Sequence, residues 1–111
     1  MIPRLKAGIY VKALIRRAEV GGASAYVAHR GGEEAGALLL KLARPDRSCT
    51  VLSQARRGED GELVWIKPLG ETSDEAAAAK YFEKQLRYDP DLWIVEIEDR
   101  EGRAFVDEAV V

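Results

Sequence analysis

Glu96 and Glu98 are the residues whose spacing best suits chemistry. In an extended strand, residues two apart point to one face with side chains roughly 6–7 Å apart. Carboxylates at that separation can hold a hard cation or divide acid and base roles. Solvated charges at a strand end look the same in sequence and are far commoner. Asp91, upstream in the same segment, is a third carboxylate without an evident structural duty. Arg16-Arg17 supplies a compact cationic counterpart. Asp91, Glu96, Glu98, Arg16 and Arg17 make up the candidate functional surface.

Other chemistries find less in the residues. One histidine, His29, and one cysteine, Cys49, do not make a structural zinc set. Ser24, Ser48, Ser53, Ser73 and Cys49 are available nucleophiles, but His29 is the sole conventional base. Its alternation with Ala25 and Val27 reads as a packed or edge histidine, and Cys49 as a small apolar residue. Neither glycine pattern that cradles phosphates is present, and Gly21-Gly22 and Gly31-Gly32 read as helix termination and turn. No catalytic residue, cofactor or metal site is assigned.

The chain has 111 residues, 47% hydrophobic and 32% charged, which suits one compact domain over 1–111. It lacks an apolar run of membrane-spanning length, and Met1–Lys6 lacks the apolar segment of a signal peptide. With one unpaired cysteine, the expected setting is a reduced, bacterial-type cytoplasm. Net charge is −2 but unevenly spread. Residues 1–57 carry 11 Lys/Arg against 4 Asp/Glu (+7), and 58–111 carry 6 against 15 (−9). That polarity either marks a surface for an anionic partner or cancels where the halves pack together. A nucleic-acid reading would require Arg16, Arg17, Arg30, Arg44, Arg47, Arg56 and Arg57 to converge, with Tyr10 or Tyr26 for stacking. The acidic balance and the lack of a binding motif weigh against it.

These residues must be positioned by the elements around them. Val11, Leu14, Ile15 and Ala18 fall on one helical face, which predicts a helix over about 7–20 ended by Gly21-Gly22. The alternation of Leu5, Ala7, Ile9 and Val11 is a competing strand signal at its start. Strands follow at 25–30, 37–43, 49–54 and 63–66, with turns at Pro45-Asp46-Arg47 and Glu59-Asp60-Gly61. Thr72 and Glu75 have capping-box spacing, predicting a second helix over about 73–88 that stops before Asp89-Pro90. Leu92–Glu98 is a strand with Trp93, Val95 and Ile97 on one face and Leu92, Ile94, Glu96 and Glu98 on the other. Arg100–Arg103 is a turn, and 104–106 a short extended piece. The expectation is an α+β fold in the order α-β-β-β-β-α-β, mostly antiparallel, with the first four strands a meander and both helices on one face.

Three phrases carry a family resemblance: Pro3-Arg4-Leu5-Lys6 with Arg16-Arg17, Glu34-Ala35-Gly36-Ala37 before the Leu38–Lys41 strand, and above all Tyr88-Asp89-Pro90-Asp91-Leu92-Trp93-Ile94-Val95-Glu96-Ile97-Glu98-Asp99-Arg100. Together they resemble a family of small alphaproteobacterial proteins, domain of unknown function 1491, over nearly the whole chain, most loosely at about 45–72. The resemblance implies a stand-alone bacterial domain and brings no catalytic residue, cofactor or partner. The residues themselves favour a non-enzymatic module acting through protein contacts or self-association, with open sheet edges and Leu92 and Ile94 as an uncovered apolar face. The arginine-based nucleic-acid binder and a small enzyme with a carboxylate site at Glu96 and Glu98 rank behind it.

Overall fold

The structure is a computed structural model describing residues 6–34 and 36–111. Leu5, Ala35 and most of the Pro3–Lys6 phrase lie outside the described residues. The elements are α1 (Ala7–Val20), β1 (Ser24–His29), β2 (Leu38–Ala43), β3 (Cys49–Arg56), β4 (Leu63–Ile66), α2 (Glu75–Tyr88) and β5 (Trp93–Glu98). This is the α+β order expected from sequence.

Each helix boundary has a local cause. Helix α1 has no side-chain cap; instead the Gly8 and Ala7 amides donate to the carbonyls of Glu33 and Glu34 at 3.0 and 3.4 Å. Its far end closes with two bonds, Ala23 N–H to Ala18 O and Gly22 N–H to Glu19 O, around Gly22 at φ 92°. That left-handed closure is where glycine is needed. Helix α2 starts later than the Thr72–Glu75 spacing implies. Ser73 exchanges both backbone hydrogen bonds with Cys49 on β3, so its backbone is extended and the first turn begins beyond it. Asp74 is the cap, its carboxylate accepting from Ala77 N–H at 2.7 Å. Replacing Asp74 with alanine should therefore cost about 1 kcal/mol, and replacing Thr72 close to nothing. Equal losses for the two variants in urea unfolding would restore the Thr72 cap.

The sheet order is β1-β5-β2-β3-β4. Strands β2, β3 and β4 form the expected meander, but β1 does not join it: β5 is inserted between β1 and β2, antiparallel to β1 and parallel to β2. The cause is hydrophobic content. A central strand buries both faces, so it needs an almost continuous apolar run. Leu38–Ala43 and Trp93–Glu98 come closest to that, and they pair inside the sheet, Leu40 opposite Val95 and Leu42 opposite Ile97. Strand β1, Ser24-Ala25-Tyr26-Val27-Ala28-His29, has little to bury and takes the edge.

The helices lie on opposite faces, correcting the expectation of a single helical layer. Helix α1 sets Val11, Leu14 and Ala18 against Leu38, Leu40, Leu42, Leu52, Trp65, Trp93, Val95 and Ile97. Helix α2 covers the other side, with Tyr81, Phe82 and Leu86 on Leu39, Leu92 and Ile94, and Ala78 beside Cys49 and Val51. A strand apolar on both faces requires cover on both. Leu92 and Ile94, expected to be open, are only 6% and 5% exposed.

Candidate functional site

On the α2 side, cross-strand register builds a polar row beyond the cover of the helix. Tyr26 of β1 stands opposite Glu96 of β5, which stands opposite Lys41 of β2. Lys41 is the one charge in an otherwise apolar strand, its side chain 13% exposed, and it is ion-paired to Glu75 of α2 and, at 3.6 Å, to Glu96. Burial pulls its pKa down, but hydrogen bonding to Glu75 and the two carboxylate charges outweigh that, and the net shift is upward. Lys41 is thus a firmly held cation rather than a nucleophile or base. Tyr26 is pushed up to about 12, chiefly by hydrogen bonding to Glu96.

Glu98 stands opposite Ser24 at the end of β5. It opens on a cleft of about 460 Å³ at the carboxyl ends of the parallel pair β2 and β5, shared with Ser24, Arg44, Arg100, Glu101 and Arg103. Glu96 and Glu98 share a face as expected, but one is bound to Lys41 and the other reaches the cleft. The floor of the cleft is structural. Asp99, 6% exposed, accepts from the backbone N–H groups of Glu101 and Arg103 and from the Arg103 guanidinium. Arg103 also donates to Gly21 O at 3.0 Å and lies over the Phe105 ring.

The remaining candidates are scattered. His29 stands opposite Ile94, roughly 13 Å from Glu98 along β5, with Nδ1 2.7 Å from Leu92 O. It is an edge histidine anchored to backbone. Arg16 is exposed on α1, whereas Arg17 donates from Nε to Phe105 O at 2.9 Å. Asp91 is a turn residue: its N–H donates to Asp89 Oδ1 and its carbonyl accepts from Gly32. Cys49 is wholly buried among apolar neighbours. Arg44 and Arg47 flank the start of β3 and Arg56 and Arg57 its end, roughly 25 Å away, so the arginines do not gather on one edge. The two charge halves interleave instead, because β5 lies between two strands of the basic half.

The signals for the missed residues are faint but readable. A lone lysine inside Ala37–Ala43 must find a carboxylate to be buried. Asp99 followed by Gly102 and Arg103 is the pattern of an acid holding its own turn. The Glu108 contact, accepting from Tyr10 and Trp65 at 2.6 and 3.0 Å, joins residues too distant in sequence to show any pattern.

The chain matches, over residues 5–107, the family described as "Protein of unknown function (DUF1491)". It belongs to that family. A crystal structure of a DUF1491 family protein from Caulobacter crescentus CB15 is 47% identical and superposes with a TM-score of 0.91, covering 97% of this chain and 100% of that one. An NMR structure of a DUF1491 family protein from the same organism gives 48% and 0.85, over 96% of each chain. A solution structure of an A. tumefaciens protein gives 29% and 0.81, over 96% and 95%. No curated protein matches. The match is to the family that the sequence phrases resemble. In this chain, the Tyr88–Arg100 phrase spans the end of α2, all of β5 and the start of the Asp99 turn.

Proposed function

We propose that this protein is a non-enzymatic cytoplasmic module that works by contact with protein chains, through the outer edge of β1. The observation that carries the reading is the asymmetry of the sheet's two edges. Strand β4 is screened on its outer side by the C-terminal segment, where Trp65 N–H donates to Ala109 O and Val111 N–H to Trp65 O. Strand β1 pairs with β5, and among the described residues no other strand or bridge pairs with its outer side. Tyr26, Val27 and Ala28 are exposed in succession. An open edge offers unpaired N–H and C=O groups to an added strand, and proteins that avoid this place lysine or proline there. Ser24–His29 contains neither, and its bulge between Val27 and His29 leaves Ser24–Val27 regular.

A photo-cross-linking residue placed at position 26 of the full chain in cells tests this, with position 83 on the exposed side of α2 as control. Cross-linked protein at 26 and not at 83 is expected, either at twice the chain mass or with another polypeptide. No adduct at 26, together with a strictly monomeric sedimentation profile, would overturn the proposal.

A further inference from the structure

We infer that the β1 edge receives an extended segment in which basic and apolar side chains alternate; this rests on the edge-pairing reading above. An added strand projects successive side chains to opposite faces, so the surroundings of β1 on each face specify its partner's pattern. On the α2 face, Tyr26 is 46% exposed, with Glu96 opposite it and Glu98 one pair along. The cation in this row, Lys41, is held between Glu75 and Glu96. At the Ser24 end, Arg44 donates to Thr50 and Arg103 is tied to Asp99. The Glu98 side chain forms no hydrogen bond or ion pair among the described residues, although it borders the strand whose outer edge is open. A lysine or arginine beside Ser24 could reach over that small residue toward Glu98, next to the Tyr26 ring face, which attracts cations.

The α1 face asks for the opposite. Ala25 and Val27 face the α1 side beside Val95 and Ile97, and Val27 is 39% exposed. Ile15 and Ala25 are only partly covered at the rim of that core. An apolar side chain there extends the core, and a charge would be stranded beside it. A second copy of this chain fits less well, since Ser24–His29 brings no lysine or arginine to Glu98.

The test uses the full chain and two synthetic peptides of roughly ten residues, about the length of a long strand. One alternates Lys and Val, and the other Glu and Val. Binding is followed by fluorescence anisotropy and by hydrogen exchange at Ser24–Ala28. The Lys/Val peptide should bind about tenfold or more tighter, weaken as salt rises, and slow exchange at those amides. Glu98→Lys should lower its affinity about three- to tenfold while folding normally. Equal binding and equal protection by both peptides would overturn the charge inference and leave the edge reading standing. Binding without protection of β1, or no binding by either peptide, would overturn both.

Discussion

Trp93→Ala is expected to lower the unfolding free energy by about 3–5 kcal/mol, a large share of what a domain this size has. The ring is 4% exposed and belongs to the cluster under α1. It is also a joint between chain segments. Its backbone N–H donates to Ala37 O at 2.8 Å and its indole Nε1–H to Gly32 O at 2.7 Å, while Gly32 N–H donates to Asp91 O at 2.9 Å. The 30–37 connection therefore folds around the start of β5, and glycine is needed for that approach. A Cβ on Gly31 would collide with the Asp91 and Leu92 backbone, and one on Gly36 with Asp91 O and the indole. Arg30 lies over the ring, 5.8 Å from its centre. Trp93→Phe keeps most of the apolar body but strands the Gly32 carbonyl, so a smaller loss of about 1–3 kcal/mol is expected, with faster hydrogen exchange across 31–37. Equilibrium urea unfolding measures both. A loss under about 1 kcal/mol for the alanine variant would mean that the site collapses onto the cavity and that the joint does not depend on the ring.

The same joint shows what the sequence could reveal. Each element announces itself locally: Val11, Leu14 and Ala18 by helical spacing, Trp93, Val95 and Ile97 by alternation, and Asp89-Pro90 by stopping a helix. Pairing is not local. Gly31-Gly32 reads as a turn between β1 and β2, although Gly31 is there to admit the backbone at Asp91 and Leu92, some 60 residues on. Adjacent strands suggested a meander, and the clue against it was Ile94, an apolar residue on the face assigned to solvent. A strand apolar on both faces belongs in the middle of a sheet between two helices, and placing it there moves β1 to the edge. Alternation puts Glu96 and Glu98 on one face, and the recognition role proposed for them rests on what surrounds that face. Their meaning depends on Lys41, Glu75 and Tyr26, which come from three other elements. The Thr72–Glu75 box failed for a similar reason, since Ser73 was already committed to Cys49.

Asp99→Ala is expected to cost about 2–3 kcal/mol, because a single carboxylate satisfies two backbone donors and a guanidinium in the turn after β5. Hydrogen bonding from the Arg103 side chain and backbone holds the Asp99 pKa down to about 2, below its ordinary 3.8. The group is thus more acidic folded than unfolded, and its stabilisation is complete above the unfolded value. It is lost as pH falls from about 4 through about 2. Asp99→Asn should flatten that acid limb of the stability curve without removing it, because Asp46 and Glu108 are also held below the ordinary carboxylate range. In Asp46 the cause is hydrogen bonding from Ser48. In Glu108 burial acts upward but is outweighed by hydrogen bonds from Tyr10 and Trp65. An unchanged limb between pH 4 and 2 would show that Asp99 titrates as an ordinary surface acid. The effect also reaches the edge strand. Arg103 spans from Asp99 to the Gly21 carbonyl, where α1 gives way to β1, and Ser24 pairs with Glu98 directly before the turn. Releasing the turn should therefore speed hydrogen exchange at Ser24 and Ala25 more than at Leu40 in the sheet centre. If the two regions loosened equally, the turn would be a support of the whole fold, with no particular hold on β1.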